Sequence, residues 1–281
     1  MGAARSLVSS RLDLGFAVDA DGRSYVRRQY ASYPFHVCRV HYHDKDLPGL
    51  ATLYLQSCAG GIYEDDRLDL TLATAQGAEA YVSTQAATVV HSMPSGSASQ
   101  RVRLQCEGGS YLEYLPDPQI LFPGSRCRSE IAVRLSGDAV ALVSDSFLTH
   151  DPAGGGDMFA AYFSEIVIEN ETGKALAIDR LKVDGRAFRD SCPGISGRFA
   201  AQGTMIVAGV DFSANDVAGA LHKIRLDRDV AVIGSSPLPH SAGLLVRVLA
   251  ADGAALKLAL HQAWCATRVI LKGSMPVERR K

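Results

Sequence analysis

Charge of one sign, long apolar runs, paired cysteine motifs and aromatic residues are all scarce in this 281-residue chain, and each scarcity excludes something. Lysine and arginine number 29 against 30 aspartates and glutamates, a formal net charge of −1. The domain-wide basic field of a nucleic-acid binder is therefore missing. No stretch approaches the roughly 20 apolar residues that cross a bilayer. Six cysteines, at 38, 58, 106, 127, 192 and 265, form no C-x-x-C pair. A chain this long can bury a core without disulfides, so reduced thiols in a cytoplasmic protein are the expectation. The opening MGAARSLVSS has no apolar run of signal-peptide length. Gly2 to Ser6 fits the loose N-myristoylation pattern, which is short enough to arise by chance. Enzyme motifs are absent too: no P-loop, no G-x-S-x-G elbow, no H-E-x-x-H.

What is present is alternation broken by glycine, the mark of short strands and tight turns. Arg67-Leu68-Asp69-Leu70-Thr71-Leu72 alternates, Gln76-Gly77 turns, and Ala80-Tyr81-Val82 leaves. The scheme repeats from Arg101 through Gly108-Gly109 to Leu115, and from Ile131 through Gly137-Asp138 to Val143. A fourth copy runs from Glu165 through Gly173 to Ile178. The glycine spacings are 31 (77 to 108), 29 (108 to 137) and 36 (137 to 173). A loose period of this length suits stacked β-layers, while a sandwich of hairpins stays open. Two helices are expected in this mainly β chain. One lies near 215–225, with Val217, Leu221 and Ile224 on one face; the other lies near 252–272, capped by Asp252 and stopped by Gly273 and Pro276. With no linker between halves, residues 1–281 read as one domain.

Few constellations carry chemistry. His41-Tyr42-His43, with Asp44 and Asp46, reads either as a solvated strand edge or as a surface metal site. Glu64-Asp65-Asp66 places three adjacent carboxylates after Gly60-Gly61, either solvated at a turn or bridged by a cation.

Cys58-Ala59-Gly60-Gly61-Ile62-Tyr63-Glu64-Asp65-Asp66-Arg67-Leu68 resembles a glycine-rich segment ending G-D-x-L in the urease accessory protein UreD (UreH) family. Thr84-Gln85-Ala86-Ala87-Thr88 is similar to that family's T-x-A-A-T, and Tyr111-Leu112-Glu113-Tyr114-Leu115-Pro116 to its L-E-Y-L-P block. Asp157-Met158-Phe159, Asp179-Arg180 and the closing Trp264, Arg268, Leu271 and Gly273 follow in the family's order, over residues 50–273. Two departures stand out. The family usually has glycine where Asp65 stands, and a P-R-x-W tail where this chain ends Pro276-Val277-Glu278-Arg279-Arg280-Lys281.

The resemblance implies a β-solenoid with two helices and a cytoplasmic, non-enzymatic scaffold for nickel insertion. Its partners would be UreF, the GTPase UreG and apo-urease, in a complex such as a dimer of heterotrimers. No cofactor would be tightly bound; Ni²⁺ would pass transiently along an internal wet route. Asp66, Asp179 and, by extension, Glu64 become candidate metal contacts on that path, against turn-capping and ion-pair alternatives. Rival readings are a solenoid hydrolase or lyase using Glu64, Asp65 and Asp66 with His91 or Arg67, or a binding module that has lost nickel function. Aromatics at 7% with a single tryptophan suit an extended substrate groove poorly.

Overall fold

The computed structural model describes residues 9–189, 192 and 194–277. The Gly2–Ser6 pattern and the last four residues of the tail lie outside them. Alternating segments become strands, and glycine-bearing corners pass the chain between two sheets. The first strands are β1 (Ser9–Val18), β2 (Ser24–Ala31), β3 (Phe35–Val37), β4 (Ala51–Ser57), β5 (Arg67–Thr74) and β6 (Glu79–Thr84). There follow β7 (Thr88–Val90), β8 (Ala98–Cys106), β9 (Tyr111–Tyr114), β10 (Gln119–Leu121), β11 (Arg126–Leu135) and β12 (Val140–Thr149). Next come β13 (Ala161–Glu169), β14 (Ala175–Asp184), a short α1 (Gly185–Arg189), β15 (Ala201–Ala208) and α2 (Ala214–His222). The chain closes with β16 (Ala231–Pro237), β17 (Gly243–Ala250) and α3 (Gly253–Lys272).

One sheet runs β14-β13-β11-β8-β5-β1-β2; the other runs β16-β17-β15-β12-β9-β6-β4-β3. Within them β1, β5, β8, β11 and β13 are parallel, as are β4, β6, β9 and β12, giving a β-solenoid of about four turns. The short pair β7 and β10 adds a third side. Corners stack directly on one another: the Gly77 amide donates to the Gly108 carbonyl at 3.1 Å. Gly77 (φ 70°) and Gly109 (φ 68°) hold the left-handed backbone that this turn requires and that glycine adopts without a Cβ clash.

The first three copies of the repeat are solenoid turns; the fourth is not. β13 and β14 form an antiparallel hairpin within one sheet. In the true corners a small residue just after the turn (Ala78, Ser110 or Ala139) is buried, and the following strand is covered on both faces. The fourth copy has exposed Lys174 after Gly173, and Asn170 accepts from the Thr172 and Lys174 amides to tighten a local loop. Its strand alternates and so has only one apolar face to bury.

Inward side chains line up across the strands. Leu12, Leu70, Val102, Ile131 and Ile166 form one lateral row, and Leu14, Leu72, Leu104, Val133 and Ile168 the next. On the other sheet the outer face is also buried, under α2 and α3. Helix α3 begins at its expected cap, Asp252 accepting from Ala255, whereas α2, expected from about 215, starts at Ala214 with Ser213 as cap accepting from Asp216. The first helix ends at His222, before the expected 225, because the Lys223 and Ile224 amides turn back to the Ala220 and Leu221 carbonyls. Gly273 (φ 71°) closes α3 in the left-handed conformation. The short α1 was not foreseen from the sequence.

Helix α3 is fastened by charge as well as by apolar contact. Arg268, 1% exposed, donates to both oxygens of Glu113, which is fully buried on β9, at 2.9 and 2.6 Å. Its third nitrogen reaches Asp44 at 2.6 Å. The Trp264 indole (2.8 Å) and the Tyr111 hydroxyl (2.6 Å) complete the shell around Glu113. Burial opposes the guanidinium charge, but the Glu113 contacts outweigh it and hold the Arg268 pKa above its ordinary value. Arg268→Ala is expected to cost about 3–5 kcal/mol in chemical denaturation, because it strands a buried carboxylate. Asp44→Asn, which leaves Glu113 paired, should cost distinctly less.

Candidate functional site

The acidic segment before β5 is held by its own backbone. The Asp66 carboxylate accepts from the Tyr63 amide at 2.8 Å, so the capping alternative describes its local role. Glu64 reaches across a solenoid turn and accepts from the Ser95 amide at 2.8 Å and from the Gly96 amide. Asp65 sits between them at φ 69°, a left-handed backbone where an L-residue pays a steric cost, though aspartate tolerates it better than most.

Asp179 lies far from this segment. It sits on β14, and three strands intervene between β14 and β5; at ~4.8 Å per strand step the two are about 19 Å apart. Asp179 pairs with Arg247 of the other sheet at 2.5 Å, while Arg247 also donates to Thr204 at 2.7 Å. Burial raises the Asp179 pKa, and Arg247 counters this only in part. The structure thus brings Glu64 and Asp66 together and leaves Asp179 apart, at the capped end of the solenoid. Among the described residues no group of three or more His, Cys, Asp or Glu could hold a metal ion. The His41 and His43 rings stack 4.7 Å apart at 15°, so their in-plane lone pairs run nearly parallel instead of converging. Asp44, offered as their partner, is turned inward to Arg268. His91 stacks on Tyr63 and contacts the Gly60 carbonyl.

A different constellation lies inside the solenoid. Beside the two apolar rows runs a third, in register: Ser10, Leu68, Gln100, Ser129 and Ser164. Opposite it, Asp145 points inward from β12. It accepts from the Tyr162 hydroxyl at 2.9 Å and from the Ser164 hydroxyl. Burial is the main influence on Asp145 and raises its pKa, against the hydrogen bonds from Ser164, Tyr162, Ser129 and the Ser146 amide. Near it the Gln119 side-chain oxygen is buried without a partner.

Three cavities adjoin along this polar aisle. A small central one of about 30 Å³, room for roughly two waters, is lined by Asp145, Gln119, Ser129 and Gln100. It shares Thr84, Thr88, Gln100 and Tyr114 with a cavity of about 240 Å³ that opens by Gly60-Gly61. It shares Pro116, Asp117 and Ser144 with a groove of about 450 Å³ beside α3. The T-x-A-A-T segment and the end of the L-E-Y-L-P block therefore line these adjoining cavities.

A chain with this architecture matches a known family over nearly its whole length: the model for the UreD urease accessory protein covers residues 8–281. The chain belongs to the UreD family. It is 40% identical over 268 residues to urease accessory protein UreD 1 of Pseudomonas syringae pv. syringae strain B728a, covering 95% of this chain and 94% of that one. It is 37% identical over 275 residues to UreD 1 of Methylorubrum extorquens strain PA1, covering 98% and 93%. Urease accessory protein UreD of Haloarcula marismortui strain ATCC 43049 is 33% identical over 282 residues, covering 96% and 89%. No helix among the described residues is long and apolar enough to cross a membrane.

Asp145, Gln119 and Asp117 escaped the sequence reading. The signal was there: Ser144-Asp145-Ser146 interrupts an apolar strand, and Gln100, Ser129 and Ser164 stand where the period of two demands an inward residue.

Asp65→Gly is expected to raise stability by about 0.5 kcal/mol, read as a higher urea midpoint, since glycine carries no left-handed penalty. Asp145 has a folded pKa above its unfolded value. The stability it contributes is full below the unfolded value, about 3.9, and is lost as pH rises through the folded one. Asp145→Asn should accordingly melt at or above the wild-type temperature at pH 7, an advantage that shrinks on acidification.

Proposed function

We propose that this chain is a urease maturation factor: a non-catalytic scaffold in the cytoplasm that passes Ni²⁺ to apo-urease along the polar aisle inside its solenoid. In this reading it acts with UreF and the GTPase UreG, as a dimer of heterotrimers. The observation that carries it is the run of adjoining cavities through the core, with a buried carboxylate at the narrowest one. A solenoid of this kind could fill its centre with aliphatic side chains, as the two neighbouring rows do. A row of glutamine and serines facing an aspartate gives up hydrophobic burial, which selection keeps where function needs it.

The ligand chemistry suits transit. Oxygen donors from carboxylate, amide and hydroxyl hold Ni²⁺ weakly compared with thiolate or clustered imidazole, and a conduit must release its cargo. The central cavity is too small for a fully hydrated ion, so the metal would exchange waters for protein oxygens one at a time. Asp66 and Glu64 follow Gly60-Gly61 closely in the chain without lining that cavity, and in this reading would meet the ion before it enters. Asp179 stands at the opposite, capped end and would serve there by switching between Arg247 and the metal. Because Glu64 and Asp66 are tied to backbone amides, this reading is favoured over acid–base hydrolysis by that cluster.

The test is co-expression with urease and the other accessory proteins in cells lacking any other UreD-family gene. The wild-type chain should raise urease nickel content and activity, and Asp145→Ala should lower both at least about tenfold while the accessory complex still forms in pull-down. Asp66→Ala and Asp179→Ala should give smaller losses with the complex intact. Urease that loads nickel equally well without this chain would sink the proposal.

A further inference from the structure

Helices α2 and α3 pack on β15, β16 and β17 of the second sheet, and neither covers the outer face of the seven-stranded first sheet. The outward side chains of that face fall into lateral rows set by the strand register. One row reads Arg11, Asp69, Arg101, Glu130, Glu165 and Arg180 across six adjacent strands. The row on one side of it carries Arg67, Arg128 and Lys182, and Arg126 and Asp184 share the row beyond. On the other side come Asp13 and Arg103, then Arg28, Arg134 and Glu169. Ten cations thus stand against six carboxylates on a chain whose formal net charge is −1. This face has a surplus of four positive charges, and the rest of the chain carries −5.

The charges are layered as well as unequal. Asp13 pairs with Arg11 at 3.0 Å and Arg28 at 2.8 Å, and Glu130 with Arg101 at 2.8 Å and Arg128 at 2.5 Å. Glu169 holds Arg134 at 3.0 Å, and Glu165 holds Arg180. In these pairs the carboxylates are 13–24% exposed and the arginines 48–64%. An approaching molecule therefore meets guanidinium first. A guanidinium has five N–H donors, and the carboxylate beneath it uses only part of them while fixing its direction. Such preset donors lose less side-chain freedom on binding than loose ones.

We propose that the uncovered sheet is a docking surface for a folded protein whose contacting face is rich in carboxylates. The inference rests on the reading above in that the chain works inside a protein complex, and it names the side the complex uses. Six strand spacings of about 4.8 Å by eight residues of about 3.3 Å give a footprint of about 750 Å², close to the ~800 Å² per partner of a standard interface. The mixed central row selects a protein over a polyanion. Asp69, Glu130 and Glu165 between the arginines repel a uniform run of phosphates, whereas a protein surface can set a carboxylate against each arginine and a donor against each acid.

The experiment is co-purification on the tagged full chain, co-expressed with urease and the other accessory proteins. The variant combines Arg67→Glu, Arg103→Glu and Lys182→Glu, exposed positions spread over β5, β8 and β14. The control combines Lys45→Glu, Lys223→Glu and Arg228→Glu, three exposed cations outside this face. One protein component held by wild type and control should fall at least about tenfold on the variant, and should leave the wild type at roughly 1 M salt, where charges are screened within about 3 Å. Circular dichroism checks folding, and a set with glutamine at the same three positions, which adds no charge beside the resident acids, decides if the glutamate set unfolds. Docking is overturned if every component stays with the variant, or if the control loses the same component equally. Salt-sensitive binding of the purified chain to duplex DNA or phosphatidylserine vesicles, with no protein component dependent on this face, overturns it too. Urease nickel content separates the two readings. A wild-type chain that fails to raise it refutes maturation whatever co-purifies, whereas normal loading by a variant that keeps every component refutes docking alone.

Discussion

Everything on the outer side of the second sheet depends on one buried charge pair, Glu113 with Arg268. Two charges at 1% exposure or less are stable only when nearly every donor and acceptor is used, and here they are. Glu113 receives the guanidinium, the Trp264 indole and the Tyr111 hydroxyl; Arg268 spends its remaining nitrogen on Asp44. The geometry is demanding, and that is its use. Apolar contact alone would let α3 slide along β9, whereas a forked guanidinium on a fixed carboxylate admits one register. Lys272 repeats the device one turn on, pairing with Glu79 over the Tyr111 ring.

Setting the register of α3 also sets the groove. Lys257 and His261 face Asp117 and Pro116 across it because Trp264 and Arg268, on the next two turns, are locked to β9. The loop carrying Asp44 joins the same cluster, so the first part of the chain and the last are held by one knot. The groove beside α3 and the small inner cavity thereby share walls at Pro116, Asp117 and Ser144.

The polar aisle is the compromise in this design. Gln100, Ser129 and Ser164 replace aliphatic residues in a row that would otherwise extend the core, and burial pushes the Asp145 pKa up. The Asp145 carboxyl group is met by hydroxyls and an amide. Asp179 resembles Glu113 in having an arginine and resembles Asp145 in its raised pKa, and it joins the two sheets at the capped end.

Much of the fold was legible locally. Period-two alternation, glycine corners and the cap at Asp252 depend on residues a few positions apart, and these features lie where the pattern put them. The fourth repeat misled because its alternation matches the others; only the burial after the turn distinguishes a corner from a hairpin. The acidic triplet was conspicuous because it is contiguous, yet two of its members serve backbone amides. Asp145 was inconspicuous because its partners come from β11 and β13, 16 to 19 residues away.

What the chain's near-balance of charge and periodic apolar pattern determined by themselves is a stacked β protein with two capped helices and no strong external field. The tertiary structure alone decided which polar residues face inward together. Asp44 meets Arg268 across 224 positions and Trp264 meets Glu113 across 151, contacts that no local period encodes. The polar row is likewise a product of stacking: it exists only because strands some 30 residues apart lie one strand spacing from each other.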